Sequence, residues 1–204
     1  MRRQKPLTLY KFMKKLYLLA NLTFLCLTTN AQKYFELTPD GFKASNNKEF
    51  IVVDAPNMSP SAIYNMLETG LISVFPPAHS TLNKETDTRF SITSVARELF
   101  RINAGLGMQY IMDMEFKVVI DIKEGKYRIV APTISHLGTL ANYRISRMVV
   151  YGDPTVYKDY RKNQFIFNFK DRTIQNNEAK TAIENYINNV VRKIVNISKA
   201  NEDW

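Results

Sequence analysis

The chain has 204 residues and a formal net charge of +9, from 28 Lys and Arg against 19 Asp and Glu. Six of the basic residues and no acidic residue lie before position 32, so the remainder carries only +3 and shows no cluster of Lys and Arg. A nucleic-acid-binding protein, which needs such a cluster on one face, is therefore not predicted. The single Cys26 lies in the same segment, so we expect neither a disulfide nor a thiol nucleophile in residues 32–204.

The first 31 residues have the pattern of a secretory signal peptide. Lys14 and Lys15 precede an apolar run over residues 16–27, which ends in Thr-Asn-Ala. This pattern predicts cleavage between Ala31 and Gln32 and an exported product that is periplasmic, cell-surface or extracellular. A membrane anchor is the alternative, but the run is shorter than the ~20 apolar residues that a spanning helix needs. Translation could begin at Met1 or at Met13, and no transmembrane segment is expected in the mature chain.

Residues 32–204 are long enough to fold as one α+β domain without disulfides. Pro39-Asp40-Gly41 is a turn signal between residues 34–37 and 42–44, which predicts a small hairpin. Residues 49–54 are apolar on both faces, which predicts an interior strand. Ser59 and Pro60 open a predicted helix over residues 60–74, because a capping Ser and a proline at the first helical position favour a helix start. The polar run that follows, up to Asp87, is predicted as a loop.

The centre of the predicted sheet is the strand over residues 108–122. Its apolar residues alternate with mostly polar ones, as expected for a strand with one buried face. Gly125 predicts a tight hairpin into residues 127–131. The preceding extended segment begins at Arg89 and changes phase near Val95, which indicates either a bulge or two shorter strands.

Beyond this hairpin the pattern predicts a connection over residues 135–138, a strand over 143–151 interrupted at Arg147, and a short extended segment over 165–169. The last element is a helix over residues 177–199, with Asn177 as its N-cap. Its apolar side is predicted to pack on the sheet face that carries Met112 and Met114. The opposite, solvent-facing side comprises Lys180, Glu184, Asn188, Arg192 and Lys193.

Few residues have the spacing of a known catalytic or metal site. His79 and His136 lack a second ligand at metal-binding spacing, and there is no glycine-rich phosphate loop, so no cofactor is predicted. Carboxylates and a lysine project from one side of the central strand, at Asp113, Glu115, Lys117 and Asp121. Paired carboxylates could serve a hydrolase, but cross-strand ion pairing is the preferred interpretation.

A candidate binding surface combines aromatic and basic residues that recognition surfaces often use. Its members are His136, Tyr143, Arg144, Arg147, Tyr157 and Tyr160. The alternative is that the nearby phenylalanines form a strand's core face and the tyrosines cover its rim.

Residues 50–134 resemble a family of exported Bacteroidetes proteins, the domain of unknown function DUF4468, which has a TATA-binding-protein-like (TBP-like) fold. The resemblance rests on the strand and helix over residues 50–74 and on the sequence VVIDIKEGKYRIV at residues 118–130. It implies a curved antiparallel sheet with helices packed on one side, and it carries no catalytic residues. The independent pattern agrees, since it indicates an α+β, helix-grip-like meander covered by the two helices.

Three functional hypotheses follow from these features. The first is a non-catalytic exported binding or envelope-associated protein, whose partner is a small apolar ligand or an envelope protein. The second is a hydrolase acting on envelope material, and the third is a structural subunit that docks through a strand edge. The oligomeric state is left open by the sequence.

Overall fold

A computed structural model describes residues 32–141, 144–147, 149–152 and 165–199. In chain order the strands are β1 (Phe35–Thr38), β2 (Gly41–Ala44), β3 (Phe50–Asp54), β4 (Ser80–Thr86), β5 (Arg89–Gly105), β6 (Met108–Lys123), β7 (Lys126–Val130), β8 (Thr133–Ala141), β9 (Arg144–Arg147), β10 (Val149–Gly152) and β11 (Phe165–Asn168). The helices are α1 (Pro60–Val74) and α2 (Asn177–Lys199).

The main sheet is antiparallel and has the order β3-β7-β6-β5-β4, so the predicted meander runs from β4 to β7. Strand β8 continues along the same side of β6 as β7, and β9 pairs with β8. Two further sheets have two strands each, the antiparallel β1–β2 hairpin and the parallel pair β10–β11. The predicted α+β class is confirmed.

The core lies between one face of this sheet and the two helices. Met112, Met114 and Phe116 of β6 are fully buried there, as the alternation predicts. From α1 the core takes Leu67 and its neighbours at helical spacing, and from α2 it takes Ile187 and its neighbours. The predicted packing of the C-terminal helix on the methionine-bearing sheet face is confirmed.

A capping side chain marks the start of each helix. The Ser59 hydroxyl accepts a hydrogen bond from the Ala62 backbone N–H, as the predicted cap requires. In α2 the cap lies one residue earlier than predicted, because the Asn176 side-chain oxygen accepts from the Ala179 N–H at 2.9 Å while Asn177 is already helical.

The prediction that one side of α2 faces solvent is wrong for three of the residues on that side. Lys180 is only 7% exposed, and Glu184 and Asn188 lie against β1. We call these three residues, spaced by four, the polar stripe of α2. Its side chains bond the outer edge of β1: Asn188 Oδ1 accepts from the N–H of Tyr34 and of Phe35, and Glu184 Oε1 accepts from the N–H of Leu37. The stripe therefore holds the β1–β2 hairpin on the helix.

Strand β3 is not the interior strand that was predicted. Among the strands that the structure describes, it pairs with β7 alone and forms one edge of the sheet. Ile51 and Val53 pack against the core, whereas Phe50 and Val52 lie on the outer face, where Val52 is 53% exposed. The prediction was wrong because it took apolar residues on both faces as a sign of burial on both faces.

Two predicted loops are strands. Ser80–Thr86 forms β4, which is largely exposed but pairs along β5 and places Leu82 against the core. Residues 135–138 lie within β8, which pairs with β6 so that Leu137 is opposite Met114. In both cases backbone hydrogen bonds to a neighbouring strand stabilise the extended conformation. The local amino-acid composition does not indicate such bonds. The predicted bulge near Val95 is confirmed as a register shift between Ala96 and Phe100.

Candidate functional site

The edge of the main sheet is interrupted where β7 passes into β8. Strand β3 covers the outer side of β7 as far as Ala131, whose N–H donates to Glu49 O at 2.7 Å. Strand β9 covers β8 only from Gly138, which is opposite Arg147. In the described part of the chain, no strand pairs with the outer side of residues 132–137. We call this six-residue stretch the edge notch.

A cavity of about 620 Å³ lies beside the edge notch, between it and the turn of the β1–β2 hairpin. We call this cavity the edge groove. Its apolar lining includes Leu37 and Phe42 from the hairpin and Pro132 and Leu137 from the notch. A volume of this size is in the usual range for ligand sites. Another cavity, of about 650 Å³, lies on the helix layer near Gly70, but it borders no strand edge.

Ion pairs fix the rim of the edge groove. Lys43 of β2 binds Glu49 at 2.6 Å, and Asp40 in the hairpin turn binds Arg172 at 2.5 Å. Hydrogen bonding to these cations lowers the pKa of the Glu49 and Asp40 carboxyls below their usual values. Both acids are therefore ionised at neutral pH, and the rim charges neutralise each other in pairs.

The hairpin turn that closes one end of the groove needs glycine. Gly41 has φ +96°, a backbone conformation that residues with a Cβ rarely adopt. The Thr38 hydroxyl donates to Gly41 O at 2.7 Å and accepts from the Asp40 N–H, which holds the turn together. With the polar stripe of α2 on its other side, the hairpin is fixed at both ends.

The structure brings together part of the predicted binding surface. His136 is exposed and lines the edge groove. Arg144 and Arg147 lie on β9, and Arg147 is opposite Gly138, two residues from His136. Tyr143, Tyr157 and Tyr160 lie outside the described residues.

The carboxylates of β6 have the cross-strand partners that the sequence predicted. Asp113 binds Arg97 at 2.8 Å, Asp121 binds both Arg89 and Arg128, and Lys117 lies 3.8 Å from Glu85. Glu115 accepts a hydrogen bond from the Ser135 hydroxyl at 2.7 Å. These groups form a ladder of paired charges across the open face of the sheet.

The methionines of β6 line neither the edge groove nor the cavity near Gly70. Met112 and Met114 are fully buried in the core. Within residues 32–141, 144–147, 149–152 and 165–199, no three His, Cys, Asp or Glu side chains cluster as metal ligands would. Over the same ranges, neither helix is long and apolar enough to cross a membrane.

Sequence reasoning missed the edge notch because it assigned residues 135–138 to a connection. One signal was available: Pro132 cannot donate a backbone hydrogen bond, and proline within a run of strand residues marks an edge or an interruption. The contribution of the hairpin to the groove had no local signal, since Leu37 and Leu137 are a hundred positions apart.

No family model matches the chain, and neither does any curated protein. Two solved structures are similar to it. A TBP-like protein from Parabacteroides distasonis ATCC 8503 is 13% identical with a TM-score of 0.48, over 74% of this chain and 90% of that one. A DUF4468 family protein from Bacteroides ovatus ATCC 8483 is 7% identical with a TM-score of 0.46, over 73% of this chain and 84% of that one. These two proteins have the TBP-like fold and the family name that residues 50–134 resemble. A likeness with such low identity and TM-score carries no argument about function.

Proposed function

We propose that this protein is an exported, non-catalytic binding protein that holds an extended segment of an envelope protein in its edge groove. The signal-peptide pattern that ends at Ala31 supports export. The observation that carries the binding function is the edge notch, where a sheet edge and a cavity meet. The proposal joins two of the sequence hypotheses, binding of an envelope protein and docking through a strand edge.

The chemistry of the edge notch favours a polypeptide over a small apolar molecule. In an antiparallel pair, alternate residues direct their N–H and C=O groups away from the partner strand. Strand β6 occupies one side of residues 133–137, with a register shift that leaves Ser135 without a residue opposite it on β6, so the groups that do not bond β6 point towards the outer side. An added strand would satisfy these groups with its own backbone, as in known cases of strand addition. An apolar ligand would leave them without hydrogen-bond partners.

The surroundings of the notch indicate what kind of segment fits. Six residues of strand span ~20 Å at ~3.3 Å per residue, which sets the length of the paired segment. The rim acids Asp40 and Glu49 are already paired with cations. The lining at Leu37, Phe42 and Leu137 is apolar. We therefore expect an uncharged segment with an apolar side chain that points into the groove.

The test uses a peptide selected from a phage-displayed library on the exported chain and then synthesised. Strand addition requires backbone donors at alternate positions, so N-methylation at one parity should weaken binding by about tenfold or more, whereas methylation at the other parity should not. Binding is measured by isothermal titration calorimetry. Equal effects at both parities, or no selectable peptide, would overturn the proposal.

A pair of variants locates the peptide. His136→Trp places a large side chain at the edge groove and should abolish binding, because His136 lines the cavity and is exposed. Ile72→Trp is the matched control, since Ile72 is 56% exposed on α1, away from the groove. Loss of binding in both variants, or in neither, would place the peptide elsewhere.

A further inference from the structure

The outer face of β3 carries apolar side chains that the core does not use. Phe50 and Val52 point away from the helices, and Val52 is 53% exposed. They line a cleft of about 210 Å³ together with Tyr127 and the side chains of β6 and β7 beside them. We call it the outer cleft. It lies on the open sheet face, whereas the edge groove lies between the sheet edge and the hairpin.

The β6–β7 turn places two lysines directly opposite each other at this cleft. Lys123 pairs with Lys126 in the strand register, and both are exposed. Like charges directly opposite in an antiparallel pair are destabilising. Across the described residues neither ammonium group forms an ion pair, although Asp54 is the register neighbour of Lys126 on β3 and Glu124 lies in the turn.

The other charges at the outer cleft leave it cationic. Asp121 lines it but is bound by Arg128 at 2.7 Å and by Arg89 at 3.3 Å. The Arg128 guanidinium lies 5.4 Å from the centre of the Phe50 ring, and the Lys48 ammonium lies 5.9 Å from it. Arg128 is paired with Asp121, so Lys48 is the cation over the ring that adds to the positive potential of the two turn lysines.

We propose that the outer cleft binds an amphipathic anion, a molecule with a single alkyl chain and a sulfate-like or carboxylate head. The chain would cover Phe50 and Val52, removing apolar surface from water. The head would lie between Lys123 and Lys126 and neutralise their repulsion. An unfavourable interaction, such as the repulsion between these two lysines, that no ion pair among the described residues offsets is typical of functional sites. This ligand and this face are separate from the proposed peptide site, so either proposal can fail alone.

The test compares four probes that separate the head from the chain. These are octyl sulfate, octyl glucoside, octyltrimethylammonium and inorganic sulfate. The three octyl compounds are kept below their micellar concentrations, and the Val52 methyl NMR signals are followed during each titration. Octyl sulfate should bind at least about tenfold more tightly than each of the others, because only it has both the apolar chain and the anionic head. Equal binding of inorganic sulfate or of octyl glucoside would overturn the proposal.

Variants connect the affinity to the residues. Lys123→Gln combined with Lys126→Gln should weaken octyl sulfate binding by about tenfold and raise the melting temperature of the free protein, since it removes the like-charge pair. Val52→Ser should weaken binding without that gain in stability, and its affinity is measured by isothermal titration calorimetry because the variant lacks the Val52 methyl groups. Lys170→Gln, an exposed lysine away from the cleft, is the control and should change neither.

A membrane surface is the competing source of the same chemistry. Phosphatidylglycerol vesicles provide anionic heads whose chains are buried in the bilayer. Binding to these vesicles in the absence of octyl sulfate binding would overturn the proposal in favour of a membrane-docking face. Unchanged octyl sulfate affinity in the double lysine variant would also overturn it, and the peptide experiment on the edge groove would be unaffected by either result.

Discussion

Asn188 offers the sharpest test of how the hairpin is attached, because its side chain replaces a neighbouring strand. Its Oδ1 accepts from the N–H groups of Tyr34 and Phe35 at 2.7 and 2.9 Å, and its Nδ2 donates to the Phe35 and Glu184 carbonyl oxygens at 2.8 Å each. Asn188→Ala leaves two strand N–H groups without an acceptor. An unsatisfied buried donor costs ~1–3 kcal/mol.

The site is only partly buried, so water can replace some of the lost bonds. We therefore expect Asn188→Ala to lower the free energy of unfolding by about 2–3 kcal/mol, near the lower end of the summed cost of two donors. This is a large share of a typical net stability of ~5–15 kcal/mol. Asn188→Asp should also destabilise the protein, because one carboxylate oxygen would face the Phe35 carbonyl.

Urea unfolding followed by circular dichroism measures this change, with Asn189→Ala as the matched control. Asn189 is the next residue on α2, and among the described residues its side chain bonds only the exposed Arg192 guanidinium, from which it accepts. Hydrogen exchange at the Tyr34 and Phe35 amides should accelerate in Asn188→Ala alone. If both alanine variants lose less than ~0.5 kcal/mol, the size expected of an ordinary surface substitution, the polar stripe does not hold the hairpin.

Three further predictions concern the packing of Gly70, the titration of Tyr127 and the signal-peptide cleavage site. Gly70→Ala should cost ~1–3 kcal/mol in urea unfolding, because a Cβ there would lie 2.5 Å from Ile197 Cγ2, and the same substitution should cost much less in a chain that already carries Ile197→Ala. Burial raises the pKa of Tyr127 to about 12, so the unfolded chain loses the phenolic proton first and stability should fall by about 2 kcal/mol between pH 10 and pH 12. Tyr127→Phe lacks this phenol, so its free energy of unfolding should lose about 2 kcal/mol less than that of the wild type over the same pH range. The same loss in both proteins would contradict the assignment. The intact mass of the exported protein should match a chain that begins at Gln32, and a membrane-bound product that retains Cys26 would contradict this cleavage.

The sequence by itself determined the elements whose signals are local. Strand β6 was predicted because its core-facing residues alternate, and α1 was predicted at its observed bounds because Ser59 and Pro60 mark its start. The hairpin turn at Gly125 has φ +66°, as its glycine indicates. In these cases periodicity or turn chemistry within a few residues is enough to specify the conformation.

Only the tertiary structure decided which edges and faces are covered. Val52 lies on an edge strand, a position that depends on the sheet order and not on the residues beside it. Asn188 has a solvent-facing helical pattern but bonds β1, because a chain segment about 150 positions away packs there. The edge groove likewise joins Leu37 to Leu137. Such pairings depend on contacts between distant parts of the chain, and a single sequence contains no local signal for them.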